Sequence, residues 1–457
     1  YGELFAEGED LSSRFGSLVF TGVEDDPETL ATIKRMGFAN PAQIAATIRS
    51  WHHGHISATR TERGRELFTR LAPRLLEAAH ATGAPDEAFL RFGDFFAGLS
   101  SGVQVQSLFL AQPKLFELIV EVMAFAPRLA AVLARRPAAL DAMLDQTFFM
   151  PFAPGEAEEA VRAAVARVDG FEASMDAVRR AHRELSFRVG VQVMSGVASA
   201  TEAGPAFADL ADGCIRALAP AALAETLRVG GDFEGEVAVV ALGKCGSREM
   251  TSGSDLDLMT FYRASAGAMS EKKGWAAETF YGRFTQRLVS ALSAPTGEGG
   301  LYEVDLQLRP SGTQGPVAVS VAAFEDYYSR EAETWELLAL TRARVVWASS
   351  EAFAAEAARH VEAALRRPRT RKKVVSDVRE MRELLERERP PKGFWDLKLS
   401  EGGLVDVEFV AQFLQIVHAA EGGPLVAHTG EAIAAGRDRG LAPADQLQAL
   451  EAAWRLQ

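Results

Sequence analysis

The run Val237-Ala238-Val239-Val240-Ala241-Leu242 interrupts a chain that is otherwise patterned for helix. An uninterrupted, valine-rich apolar run of this length is that of a strand buried on both faces. A Gly- and Ser-rich turn follows it, and Leu256–Tyr262 reads as a second strand. A long amphipathic helix is expected over Lys272–Leu292. Tyr302–Leu308 then alternates Tyr, Val, Leu and Leu with Glu, Asp and Gln, the two-residue period of a strand with one solvated face. Val345-Val346-Trp347 and Trp395–Leu399 are further short strand candidates. A small sheet set among helices is therefore required.

The surrounding pattern is helical. Asp26-Pro27-Glu28 places a capping side chain before proline at the first helical position, and Ala84-Pro85-Asp86 makes a similar start. Leu115, Leu118, Ile119 and Met123 recur at three- and four-residue spacing, as one face of an amphipathic helix does. The prolines and glycine of residues 149–155 read as a linker. At 457 residues the chain is long enough for two or three domains. We expect a helical domain over 1–150, a catalytic domain over 151–350 and a C-terminal helical domain over 351–457. The fold class is α+β, mostly helical, with a mixed sheet. The formal net charge of −13 opposes a broad, non-specific grip on nucleic acid. Every apolar run is cut by Arg, Asp or Glu before reaching the roughly 20 residues of a membrane helix, so a soluble protein that binds neither nucleic acid nor membrane is expected. Two cysteines, Cys214 and Cys245, are too few for a disulfide framework and suit a reducing, cytoplasmic compartment. The start at Tyr1 and the end inside an unfinished helical pattern suggest a piece of a longer polypeptide.

The densest polar signal is Gly243-Lys244-Cys245-Gly246-Ser247-Arg248-Glu249-Met250-Thr251-Ser252-Gly253-Ser254-Asp255-Leu256-Asp257-Leu258, between two expected strands. A Gly-Ser turn lets backbone N–H groups and a hydroxyl approach phosphate oxygens. It is not a Walker loop, since the upstream glycine and the Ser or Thr directly after Lys are missing. Asp255 and Asp257, two apart, leave the same face of a strand while Leu256 and Leu258 enter the core. Two acids forced together repel unless a divalent cation compensates them, and hard oxygen ligands suit Mg²⁺ shared with substrate phosphates. Asp305 brings a third carboxylate, so that two strands with three acids make a two-metal phosphoryl-transfer site. Gly246, Ser247, Lys244 and Ser254 are the candidate phosphate contacts. Arg309, four residues beyond Asp305, either pairs with a phosphate oxygen or caps the strand end.

A strand, Gly-Ser, a short gap, Asp-x-Asp on the next strand and a later third acid resemble the nucleotidyltransferase fold shared with DNA polymerase β. The full wording of the 243–258 segment is more specific. So are Tyr302-Glu303-Val304-Asp305 with Leu308-Arg309-Pro310, Thr341-Arg342-Ala343-Arg344-Val345, Asp396-Leu397-Lys398, and Gly402-Gly403-Leu404-Val405-Asp406-Val407-Glu408-Phe409. Together they resemble the glutamine synthetase adenylyltransferase family, in its C-terminal, adenylylating half. Residues from about Gly37 to Leu144 are similar to that family's central regulatory segment. Cys245-Gly246-Ser247 departs from it, since the family usually has a larger apolar residue and a second glycine there. The resemblance implies ATP as substrate, transfer of AMP to a tyrosine of glutamine synthetase with release of pyrophosphate, and the PII signal protein and glutamine as effectors. Metal held by Asp255, Asp257 and Asp305 would bridge the triphosphate, with Asp305 a possible base. The rival readings are the phosphorolytic, AMP-removing half of the family and a nucleotide-binding module that no longer turns over.

Weaker signals are His52, His53 and His55, which flank Gly54 without a spaced fourth ligand, and the basic stretch 366–392, whose Arg379, Glu383 and Arg387 at four-residue spacing read as a solvated helix face. Lys398, Asp406 and Glu408 follow the family wording. Asp406 and Glu408, two apart on an expected helix, cannot point the same way.

Overall fold

The structure is a computed structural model that describes Leu18, Phe20 and residues 26–456 apart from 154 and 394. It divides into two units. One runs through Pro151 and includes Phe187–Ser199, and the other comprises Phe152–Ser186 and the chain from Ala200 onward.

The first unit is helical. Asp26 accepts the backbone N–H of Thr29 at 2.8 Å and starts the helix Pro27–Arg35. Pro85 starts the next expected helix, Pro85–Ala97, without a side-chain cap; Asp86 instead accepts the N–H of Ala39 at 3.0 Å. Helix Pro113–Phe125 buries Phe116, Ile119, Val120 and Met123 on one face. The core is unusually aromatic. Trp51 stacks on Phe89 at 5.4 Å and meets Phe96 edge-on at 5.5 Å, and Phe92 stacks on Phe96 at 5.6 Å. Such pairs add to the free energy of apolar burial. Of the three histidines, His52 meets the Thr69 hydroxyl and His55 that of Ser50, so both have ordinary polar partners.

The second unit holds the sheet. Its strands are β1 (Gly235–Ala241), β2 (Leu256–Ala264), β3 (Val304–Asp305), β4 (Ala318–Ser320) and β5 (Arg344–Ala348). The order is β3-β2-β1-β5, with β4 also paired to β2. β1 runs antiparallel to β2 and to β5, while β3 and β4 run parallel to β2, so the sheet is mixed. Val237, Ala238, Val239, Val240 and Ala241 are all buried, as a central strand covered on both faces requires. Phe324, Leu338, Leu340 and Phe353 cover one face from the helices that follow.

Four elements depart from the sequence reading. The helix expected over Lys272–Leu292 begins only at Ala277 and ends at Ser293. The residues before it form a turn in which Ser270 Oγ accepts the Trp275 N–H at 2.9 Å. The strand expected over Tyr302–Leu308 pairs only at Val304 and Asp305. Asp305 Oδ1 accepts the N–H of Gln307 at 2.6 Å, and this local side-chain bond turns the chain out of the ladder. β4 leaves no strand signal in the sequence, being three residues long and leading directly into the helix Val321–Arg330 that Ser320 caps. Trp395–Leu399 is a turn rather than a strand, because Asp396 accepts backbone N–H groups from Lys392, Lys398 and Leu399.

Candidate functional site

Asp257 is the second residue of β2 and lies in register opposite Asp305 on parallel β3. Asp255 stands just before β2 and is exposed, whereas Asp257 is half-buried. The three expected acids therefore gather at one end of two neighbouring strands. Burial, and then the negative charges of Asp255 and Asp305, push the Asp257 carboxyl up to about 6, against the opposing pull of Arg342. Three carboxylates held this close repel one another. They do not close into a cage, since no group of three or more His, Cys, Asp or Glu side chains that could hold a metal ion occurs among the described residues.

The turn between β1 and β2 is one turn of helix, Gly243–Ser247. Gly243 has φ of 52°, in the left-handed region, and a Cβ there would sit 2.9 Å from Asp257 Cγ and overlap Oδ2. Glycine is thus demanded twice over, by backbone conformation and by the carboxylate packed against it. Gly246 and Ser247, expected to meet phosphates, lie instead on the buried side of this helix. A Cβ on Gly246 would overlap the carbonyl of Arg342 and stand 2.7 Å from that of Ala241, and Ser247 is fully buried. The side turned away from the core carries Gly243 and Lys244, both half-buried. Cys245 is buried with its thiol pushed up to about 12, chiefly by desolvation, and so is chemically inert. Ser254 Oγ accepts the Thr251 N–H at 3.0 Å and shapes the loop before Asp255.

Arg309 is placed by three carbonyls, donating to Leu306 O at 2.6 Å, Pro316 O at 3.0 Å and Gly315 O at 3.1 Å. Its guanidinium clips the 306–316 loop, as the strand-end alternative expects, while remaining within reach of the Asp305 charge.

Several residues that hold the site were not singled out from sequence. Arg344, on β5, donates to the Gly246 and Cys245 carbonyls at 3.2 and 2.9 Å and to both oxygens of Asp212 at 2.6 and 2.8 Å. A cation therefore sits on the carbonyl end of the 243–247 turn, anchored to a helix behind the sheet. Burial raises the Asp212 carboxyl even though Arg344 pulls it down, so the pair is held at a desolvation cost. Replacing Arg344 by Met, which leaves buried Asp212 to the more distant Arg248 guanidinium at 3.9 Å, is expected to cost about 3 kcal/mol in urea unfolding. A loss below about 1 kcal/mol would mean that Arg248 already compensates Asp212.

A second arginine, Arg342, joins Glu408 Oε1 at 2.9 Å, Thr429 Oγ1 at 3.0 Å and Glu249 Oε2 at 3.4 Å. Glu249 in turn accepts the indole N–H of Trp454 at 2.9 Å and the Thr429 hydroxyl at 2.8 Å. Arg342 and Glu249 stand inside the quoted motifs, which is the only sequence signal they gave. Asp406 points elsewhere from Glu408, as their spacing on helix Leu404–Ala419 requires, and pairs with Arg382. Lys398 lies in the turn built on Asp396. The basic stretch forms helix Arg371–Glu388, in which Val374 is the buried residue, as a solvated face predicts.

Acids from two adjacent strands, set against a glycine that opens a one-turn helix in a small mixed sheet flanked by helices, define a nucleotidyltransferase-like core. The family model described as glutamate-ammonia ligase adenylyltransferase matches residues 116–360, and one described as GlnD PII-uridylyltransferase matches residues 376–456. The chain belongs to the glutamate-ammonia ligase adenylyltransferase family. It is 70% identical to the bifunctional glutamine synthetase adenylyltransferase/adenylyl-removing enzyme of Caulobacter vibrioides, with 100% of this chain and 46% of that protein covered. The proteins of the same description from Brucella melitensis and Rhizobium meliloti are each 43% identical over 95% of this chain, covering 44% and 45% of their own length. The chain thus spans just under half the length of these relatives. No described helix is long and apolar enough to cross a membrane.

Proposed function

We propose that this chain moves AMP from ATP to a tyrosine hydroxyl of glutamine synthetase, releasing pyrophosphate, in the cytoplasm as part of nitrogen control. The observation that carries the reading is the register that sets Asp257 beside Asp305, with Asp255 two residues back and Gly243 packed on the Asp257 carboxylate. The family supports ATP-dependent nucleotidyl transfer. That the relatives are glutamine synthetase adenylyltransferase/adenylyl-removing enzymes supports glutamine synthetase as the protein acted upon.

A divalent cation shared with substrate phosphates is part of the proposal. The carboxylates are hard oxygen ligands and, after burial, their mutual repulsion helps raise Asp257, which supports this reading, while the described side chains by themselves form no three-ligand group, so the phosphates would have to complete the coordination. Asp255, Asp257 and Asp305 would hold Mg²⁺, at two sites in the two-metal form of the proposal. When bound, the cation neutralises the triphosphate and the departing pyrophosphate. Lys244 and Ser254 are proposed to bind phosphate oxygens, while Gly246 and Ser247 serve by packing the turn against β1. Asp305 is proposed to take the proton of the incoming tyrosine, whose unperturbed pKa of about 10 makes it a poor nucleophile at neutral pH.

Residues 1–150 are proposed as a regulatory helical domain responding to the PII signal protein and glutamine, with catalysis in 151–350 and a helical domain over 351–457. Incubating the chain with glutamine synthetase, Mg²⁺ and α-labelled ATP should label the synthetase, and adding glutamine or PII should change the rate. Adenylylated synthetase supplied with phosphate and PII should release no ADP. Rapid ADP release would reassign the chain to the removing half, and Mg-ATP binding without transfer would make it a silent module.

A further inference from the structure

β3 has little of its own to hold it. It is two residues long, stands at the edge of the sheet and pairs with β2 at Leu256–Val304 and Asp257–Asp305, where strands of about 3–10 residues are usual. The Leu256 N–H donates to Glu303 O at 2.9 Å, and past Asp305 the bond to Gln307 already turns the chain away. The register that sets Asp305 beside Asp257 therefore depends on what fastens the segment leading into β3.

That fastening comes from helix Phe171–Met194, through residues that all belong to the second unit. Arg179, 2% exposed, donates Nε to Gly299 O at 2.9 Å, and Nη2 to Ala291 O at 2.9 Å and Ala294 O at 2.5 Å, besides Nη1 to Met175 O of its own helix at 3.0 Å. Ala291 and Ala294 stand at the end of helix Ala277–Ser293, where carbonyls lack intrahelical donors. Gly299 closes a tight turn with Thr296 through two backbone bonds, at 3.0 and 2.9 Å. One guanidinium thus ties the helix end to the turn that follows it. Burial works against its charge, and the carbonyls offset that cost. Beside it Arg180 and Arg183 both pair with Glu298, at 3.0 and 2.9 Å, and the His182 ring meets Tyr302 edge-on at 4.8 Å. The Tyr302 N–H donates to Leu292 O at 3.0 Å. Residues 179–183 therefore grip the chain immediately before β3.

We propose that Arg179, seconded by Glu298 and Tyr302, is a positioning residue for the transfer: by fixing residues 291–302 on helix Phe171–Met194 it sets where Asp305 stands opposite Asp257. Its effect on catalysis rests on the reading of Asp305 as part of the transfer site. Amide hydrogen exchange of the full chain without Mg²⁺ reads the positioning directly, at the Leu256 N–H. In Arg179→Met that amide should exchange about tenfold faster or more, while the β1–β2 ladder keeps its native protection. In the transfer assay kcat should fall about tenfold or more, with KM for ATP within about twofold of native. Arg179→Lys, which keeps a cation with three donors, should recover part of both losses. Should Arg179→Met fail to fold, Glu298→Gln carries the same test at a side chain 17% exposed. It removes the charge that Arg180 and Arg183 share, and Leu256 should exchange about threefold faster or more. Native Leu256 exchange in a folded variant would overturn the proposal, because β3 would then hold itself. So would faster exchange shared equally by the β1–β2 ladder, which would reduce Arg179 to a support of overall stability, and so would native kcat in a variant with faster Leu256 exchange while Asp305→Asn loses transfer. Failure of the transfer reading has its own signature, namely transfer retained in Asp305→Asn, which keeps the Oδ1 acceptor for Gln307.

Discussion

Asp257→Asn is expected to reduce AMP transfer by more than about a hundredfold, the scale on which loss of a transition-state charge stabiliser is felt, while leaving the protein at least as stable at neutral pH. The two effects have one cause. Burial and the neighbouring acids raise the folded carboxyl to about 6 from an ordinary value of 3.8. Between those two values the folded state holds its proton better than the unfolded chain does. The stability this contributes is complete below pH 3.8 and is lost as pH rises through about 6. Above that pH the native protein carries the full cost of an ionised Asp257, on the order of 2 kcal/mol after solvent screening. Asparagine cannot ionise and avoids it. Urea unfolding of the two proteins at pH 5 and pH 8 should therefore diverge with rising pH in favour of the variant, while labelled-AMP transfer is lost at every Mg²⁺ concentration. Transfer within a few-fold of native at saturating Mg²⁺ would remove Asp257 from the machinery. Asp255→Asn and Asp305→Asn should lose transfer likewise.

Gly243→Ala should be nearly as damaging to transfer, again about a hundredfold, and should also destabilise the fold by about 2 kcal/mol. Its Cβ has to displace the Asp257 carboxylate at a φ of 52° that alanine adopts reluctantly. Gly267 separates the two contributions. It has φ of 77°, with nothing within 4 Å of a built Cβ, so Gly267→Ala carries only the backbone cost of about 1 kcal/mol. Transfer should be unchanged in that variant. If Gly243→Ala merely matches Gly267→Ala in stability and retains transfer, the carboxylate does not depend on the glycine.

Elements whose signal is strong and local were legible before the structure. The valine run of β1, the start of β2 at Leu256, the capped start at Pro27 and the apolar face of Pro113–Phe125 all follow from side-chain periodicity or from a cap a few residues away. Two of the shortfalls lie where an aspartate bonds to nearby backbone. Asp305 ends β3 after two residues, and Asp396 converts an apparent strand to a turn. Alternation describes which faces are apolar, but it carries no information about whether a neighbouring strand exists to pair with.

The chemistry of the candidate site was likewise written in residue order: two acids at a spacing of two, a third on a later segment and a glycine-rich turn before them, in wording specific enough to name the family. Which atoms of that wording face one another was decided only by packing. The parallel β2–β3 register put Asp257 beside Asp305, and burial together with like charge raised it. Closure of the turn on the carbonyls of Arg342 and Ala241 buried Gly246 and Ser247 and left Gly243 and Lys244 on the other side. Arg309 is held by three loop carbonyls, while Arg342, Arg344 and Glu249 became the supports of the site. These are contacts between segments that lie up to two hundred residues apart, as with Glu249 and Trp454. Local sequence specifies which groups are present, but desolvation and Coulomb energy depend on what surrounds each group, and that is set only when distant segments meet.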